Sequence, residues 1–188
     1  RRNTAIRKPS AAVRSAKALR MSDCCLKFLD LGTGSTARRI AARLRPGTAP
    51  GLFWLGGFKS DMRGTKAVAL DHWADEQGRA CTRFDYSGHG ESGGDFTEGT
   101  IGRWLEESLA VFAAFAEGPQ VLVGSSMGGW LALLLVRELR RRAAAGEPLA
   151  KPVAGLVLIA PAVDFTEELM WKQFPPKTRR EIEEKGFW

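Results

Sequence analysis

Ser126 stands between two glycines in Val121-Leu122-Val123-Gly124-Ser125-Ser126-Met127-Gly128-Gly129-Trp130, an apolar run that hands over to a helical pattern. A serine in Gly-x-Ser-x-Gly is a candidate nucleophile for acyl transfer, because a strained strand-to-helix turn pushes its hydroxyl out at the carboxyl edge of a sheet. Gly124 and Gly128 suit so tight a turn: a side chain there would collide with the neighbouring strand or helix, and glycine accepts unusual backbone angles. The N-terminal N–H groups and dipole of the following helix favour negative charge beside Ser126, as a developing oxyanion requires. Two blander readings fit the same string. One is a strand–helix turn whose glycines serve packing alone. The other is a phosphate loop, against which stands the absence from this stretch of both the Walker Lys-Ser/Thr and G-x-G-x-x-G.

Gly56-Gly57-Phe58 follows a short apolar strand at Leu52–Leu55. Paired glycines there let backbone N–H groups approach a ligand, and with an elbow downstream the Phe58 and Met127 N–H groups become candidate oxyanion donors. The alternative is a βα turn that merely needs glycine. Asp164, in Asp164-Phe165-Thr166-Glu167, is a weak candidate for a catalytic acid; the same four residues suit a capping box with Asp164 as N-cap and Glu167 reaching back. The chain has two histidines, His72 and His89, and both precede Ser126. His72 falls inside a helical pattern and reads as a surface or packing residue. His89, in the glycine-rich stretch Asp85 to Gly94, falls at the carboxyl end of a strand, where it reads as holding the loop rather than as a base.

The elements that must position these groups alternate. Strands are expected at 25–31, 52–55, 79–84, 120–123 and 153–160. Helices are expected at about 65–76, with Val68, Ala69 and Trp73 inward, at about 101–116 and at about 127–142. Strand, helix, strand, helix, strand implies right-handed crossovers and a parallel sheet. Residues 46–51 read as a loop. Leu29-Asp30-Leu31-Gly32-Thr33-Gly34-Ser35 looks like the first motif of S-adenosylmethionine-dependent methyltransferases, but the region around Ala49–Leu55 lacks the acid such a site needs for the ribose. We therefore read Gly32–Ser35 as a hairpin turn before a strand with Ile40, Ala42 and Leu44 inward and Arg39, Arg43 and Arg45 outward. A helix fits that residue pattern equally. Phe165–Phe174 is apolar enough to begin a lid over an acyl pocket, or to pack on the sheet as an ordinary helix.

The net charge of +7 comes from the leader. Residues 1–20 hold Arg1, Arg2, Arg7, Lys8, Arg14, Lys17 and Arg20 with no acid, so 28 − 7 = 21 basic residues face 21 acidic ones thereafter. The neutral body gives no general electrostatic case for nucleic acid. Acid-free and rich in Arg, Ala and Ser, the leader has transit-peptide composition, although Met21 as a true start would explain it equally. Cys24, Cys25 and Cys81 form no metal spacing and suit a reducing compartment. The expected location is cytoplasmic, or mitochondrial if the leader is genuine. Residues 118–136 lack charge, but the Gly/Ser cluster in their middle argues against a transmembrane segment. No cofactor or metal is implied.

From Leu52 to about Trp171 three motifs in order resemble α/β-hydrolases, and among them the mitochondrial acyl-protein thioesterases and their bacterial relatives. They are Gly57-Phe58-Lys59-Ser60-Asp61-Met62 with Gly64-Thr65-Lys66-Ala67, Arg83-Phe84-Asp85-Tyr86-Ser87-Gly88-His89-Gly90 with Ser92, and Val123 to Trp130. The resemblance implies an α/β-hydrolase fold, a mostly parallel sheet with helices on both faces. It implies a serine hydrolase acting on a small acyl ester or an acylated-protein thioester, with Ser126 as nucleophile and Phe58 and Met127 as oxyanion donors. Residues 1–20 then form a basic leader, expected to be disordered, 21–164 the hydrolase core, and 165–188 the start of a lid or helical connection. The family's order is Ser, Asp or Glu, then His, and no histidine follows Ser126. The chain therefore reads as truncated before the last strands, and these residues alone should turn over poorly. A non-catalytic binding protein on the same fold is the alternative.

Overall fold

A computed structural model describes residues 24–147 and 151–185. Strands β1 (Cys25–Leu31), β2 (Arg38–Arg45), β3 (Thr48–Leu55), β4 (Arg79–Phe84), β5 (Gln120–Ser125) and β6 (Val153–Ile159) form one sheet. Its order is β1-β2-β4-β3-β5-β6. β1 and β2 run antiparallel to their neighbours, whereas β4, β3, β5 and β6 are mutually parallel. The helices are α1 (Thr65–Glu76), α2 (Ile101–Phe115), α3 (Met127–Ala144) and α4 (Pro176–Lys185).

The continuous apolar runs of β3 and β5 are those of strands covered on both faces. Phe53, Leu55 and Leu122 point into the larger core with Trp104, Phe112, Leu131 and Leu135 of α2 and α3. Leu52, Trp54 and Val123 point the other way, toward Ala67 and Ala74 of α1. Period-two alternation thus splits each strand between two layers of helix.

The stretch that resembles a methyltransferase motif closes the β1–β2 hairpin through a single 3-10 turn at Gly34–Thr36 and opens no α-helix. Gly32 sits at φ +74°, where a Cβ would also overlap Thr36, so the turn requires glycine. Ile40 and Ala42 are buried as the strand reading expects. Only Arg39 of the three outward arginines is exposed, lying 4.2 Å over the Phe28 ring. Arg45 pairs with Asp71 and Asp75 at 2.8 and 2.7 Å, and Arg43 with Glu91 at 2.8 Å. The second face of β2 is covered too, so its cations are neutralised rather than solvated.

That pairing also corrects the expected inner face of α1. Ala67, Asp71 and Ala74 are its buried residues, whereas Trp73 is 46% exposed. Small alanines let the helix approach the sheet, and Asp71 meets both Arg45 and, at 3.0 Å, Arg83. The expected loop at 46–51 is shorter than foreseen: Thr48 already pairs with Arg79, through a register irregularity before Leu52. β6 ends at Ile159, one residue early, where Ala160 turns to φ 44°. Residues 1–20, the leader of the sequence reading, lie outside the described residues, as do residues 148–150 between α3 and β6.

Candidate active site

β5 delivers Ser126 to the sheet's carboxyl edge, and α3 begins at the next residue. Ser126 adopts φ 54°, ψ −121°, a conformation L-residues rarely take. Such a residue costs on the order of 1–3 kcal/mol and persists only where its surroundings fix it. The glycines on either side supply the fixing. A Cβ on Gly124 would come within 2.8 Å of Gly129 Cα, and one on Gly128 within 2.5 Å of the Gly56 carbonyl oxygen. Gly129 is equally confined, with Pro161 Cβ 2.7 Å from where its own Cβ would stand. Neither Gly124 nor Gly128 has a positive φ. Close approach, rather than backbone freedom, is therefore why glycine stands at both.

The turn after β3 flanks the same point. A Cβ on Gly57 would stand 3.4 Å from Ser126 Cβ, so Phe58 follows directly beside the serine. The Phe58 N–H has no partner among the described residues, and the Met127 N–H, first in its helix, has no intrahelical acceptor. Gly57, Phe58, Ser125 and Ser126 line one cavity of about 430 Å³. Sequence-selected groups at 58, 126 and 127 are thus brought together.

Asp85 ties the two loops that frame them. Its buried carboxylate accepts from Met62 N at 2.6 Å and from Glu91 N at 2.8 Å. Burial pushes its pKa above the ordinary aspartate value, with the neighbouring Asp61 and Glu91 charges adding to the rise against those two hydrogen bonds. A Cβ on Gly90 would overlap the same carboxylate, which explains the glycine there. The residue lies inside a motif that the sequence reading singled out, but its bridging role needed the fold to show it.

Phe58 also belongs to an aromatic cluster. Its ring lies 5.2 Å from Phe96, 5.6 Å from Phe165 and 6.2 Å from Trp104, and Phe165 in turn lies 6.1 Å from Trp130. His89 packs on Phe96 and Trp104 at 5.1 and 5.2 Å, with Nδ1 3.1 Å from the Ser87 carbonyl oxygen. That placement suits a loop-holding residue. His72 lies exposed on α1. Ser126 Oγ has no hydrogen-bond partner among the described residues.

Asp164 does not form the expected capping box. Its backbone sits at φ 51° and its carbonyl, not its carboxylate, accepts the Glu167 and Glu168 N–H groups at 3.0 and 2.8 Å. The helical turn that follows, Thr166–Met170, is a wide π turn whose N-cap is Phe165 and has no side-chain cap. Anchoring falls instead to Phe165, which is buried against Phe58 and Trp130. Asp164 is exposed, and no hydrogen bond joins it to Ser126.

Residues 32–187 match the sequence profile of the Alpha/beta hydrolase family. The chain belongs to that family. It is 40% identical over 149 residues to the human protein named palmitoyl-protein thioesterase ABHD10, mitochondrial, and 41% to its Bos taurus counterpart. Those stretches cover 79% of this chain and 45% of each relative, so the chain spans about half the length of the curated relatives it matches. Among solved structures, a putative hydrolase from Agrobacterium vitis S4 is 48% identical with a TM-score of 0.80, covering 87% of this chain and 62% of that one. Alpha/beta hydrolase domain-containing protein 10 from mouse is 38% identical with a TM-score of 0.67, covering 87% and 60%. These hydrolases share the fold described above. Among the described residues no helix is long and apolar enough to cross a membrane.

Proposed function

We propose that the protein is a serine hydrolase that cleaves acyl thioesters or carboxylic esters through an acyl-enzyme on Ser126. The observation that carries this reading is the strained backbone of Ser126 at a strand–helix junction locked by Gly124 and Gly128. Ser126 Oγ attacks the acyl carbonyl carbon, and the oxyanion so formed accepts hydrogen bonds from the Phe58 and Met127 N–H groups. The proton lost by the Ser126 hydroxyl passes to the leaving sulfur or oxygen, which departs as thiol or alcohol, and water then cleaves the acyl-serine ester to the free acid and restores the hydroxyl. The relatives' names support a thioester of an acylated protein as one substrate, and their mitochondrial designation supports a mitochondrial location over the cytoplasmic expectation.

Serine needs a base, and in a well-studied protease removing the base costs about 10⁶ in kcat. Neither His72 nor His89 takes that role here: one lies exposed on α1 and the other packs into the aromatic cluster. We propose that these residues alone hydrolyse esters only slowly, that Asp164 is a weak candidate for the acid, and that residues 165–188 begin a lid anchored by Phe165. The lack of an imidazole partner for Ser126 is also what favours the second reading, an acyl-binding protein without turnover. Hydrolysis of a palmitoyl thioester by the product of the intact gene decides between them. Turnover abolished by Ser126→Ala is expected; turnover that survives it overturns the nucleophile assignment.

A further inference from the structure

The cavity beside Ser126 has a second wall that the acyl-transfer chemistry does not use. It is built from the first turn of α1 (Thr65, Lys66, Ala67) together with Trp54 and Ser125. Gly64, the N-cap of α1, offers no side chain to the helix end, and no acid occurs in the first turn. The N–H groups that open the helix thus retain their capacity to bind an anion, reinforced by the helix dipole.

Two further features point the same way. Lys66 Nζ reaches back over the cavity and donates to Ser125 Oγ at 3.2 Å, and it pairs with no carboxylate among the described residues. An ammonium has three donors, so two remain. Trp54, 3% exposed, lines the same cavity, and its buried indole N–H has no acceptor among the described residues. A buried donor left without an acceptor is uncommon in folded proteins. One acid, Asp61, also lines the cavity, but its carboxylate is turned to its own loop, accepting the Arg63 N–H at 2.7 Å.

We propose that this cavity is an anion subsite, which takes a carboxylate or phosphate carried by the substrate close to the scissile bond. The inference rests on the proposed hydrolase reading for its substrate, but its test does not require turnover. Lys66 supplies the charge and the start of α1 the directed N–H groups. Because the subsite adjoins Ser126, it selects among esters by the charge near the bond to be broken.

The test is a titration of the ¹⁵N-labelled protein with sodium butanoate, inorganic phosphate and uncharged butanamide at constant ionic strength, followed by ¹H–¹⁵N correlation spectra. The Trp54 indole resonance is assigned by Trp54→Phe. Butanoate or phosphate is expected to shift that resonance and the backbone resonances of Thr65–Ala67 saturably. Lys66→Gln should weaken this binding about tenfold or more, in line with loss of a charge-assisted hydrogen bond. Tighter binding of butanoate identifies a carboxylate as the anion, and tighter binding of phosphate a phosphorylated group. Equal shifts with butanamide, no shift with either anion, or unchanged affinity in Lys66→Gln overturns the proposal. Should Lys66→Gln fail to fold, the contrast between butanoate and butanamide on the parent protein decides. Fluorophosphonate labelling of Ser126 reads the hydrolase assignment separately, so either can fail alone.

Discussion

Gly128 lies against the Leu55 carbonyl oxygen so closely that any Cβ at 128 would overlap it. The start of α3 is thereby pressed onto the end of β3, and this contact, more than any property of Ser126 itself, brings the Phe58 turn beside the serine.

Gly128→Ala should therefore destabilise the fold by about 3 kcal/mol, the upper end of the range for overpacking, because here backbone must move. Gly102→Ala is the matched control. That glycine is helical, and its Cβ would meet only Thr100 Oγ1 at 3.9 Å. Removing a helical glycine in open space should stabilise by about 0.5–1 kcal/mol. Urea unfolding of the two variants against the parent gives both signs in one experiment.

Asp85→Asn should cost about 1–3 kcal/mol, because an amide cannot accept from both the Met62 and Glu91 N–H groups without turning a donor toward one of them. The pH dependence carries a sign. Burial raises the folded-state pKa of Asp85, so the folded chain holds its proton more tightly than the unfolded chain does. Its contribution to stability is greatest at or below the ordinary aspartate range and falls as pH rises through the raised folded value. Unfolding free energies of parent and variant, measured from the ordinary aspartate range upward, should converge as pH rises. A gap that widens instead would contradict the raised value.

Glu107 is fully buried and accepts from Arg38 Nε at 2.6 Å and from Ser87 N at 2.9 Å. Glu107→Ala leaves the Arg38 Nε–H and the Ser87 N–H inside without an acceptor, while Glu106 still faces the arginine, and each buried donor so stranded costs about 1–3 kcal/mol. Thermal denaturation should show the loss, with Glu106→Ala as the milder comparison, since Glu106 is largely exposed and touches the same arginine at 3.1 Å.

Thiol reactivity tests burial directly. Cys81 is buried and its pKa is pushed up to about 12, chiefly by desolvation, whereas Cys25 is exposed. At pH 8 iodoacetamide should modify Cys25 in the native protein and leave Cys81 untouched until denaturant is added, since only the thiolate reacts. Mass mapping of native Cys81 carrying the adduct would show that the α1 layer does not seal this strand.

Local chemistry made the elbow legible: Gly124, Ser126 and Gly128 state their geometry in five residues, and the uninterrupted apolar runs of β3 and β5 announce a sheet covered on both sides. Long-range charge was not legible. Asp71 and Arg45 are 26 positions apart, and only their pairing shows that α1 turns Ala67, Asp71 and Ala74 inward while Trp73 faces out. Periodicity locates an apolar stripe but cannot foresee that an acid will complete a buried arginine. The same holds for Asp164, where four residues spell a capping box and the packing of Phe165 onto Phe58 enforces another conformation. Lys66 stood within a quoted motif without any role of its own; only the fold shows its ammonium donating to Ser125 Oγ, 59 positions away.

The central claim is that Ser126 is a nucleophile. The most direct measurement is fluorophosphonate labelling of the protein expressed from its intact gene, with the adduct located by peptide mass mapping. The account predicts a phosphonyl adduct on the Ser126 peptide that forms within minutes and vanishes in Ser126→Ala. Absence of an adduct on the intact protein, or an adduct that persists in Ser126→Ala, would contradict it.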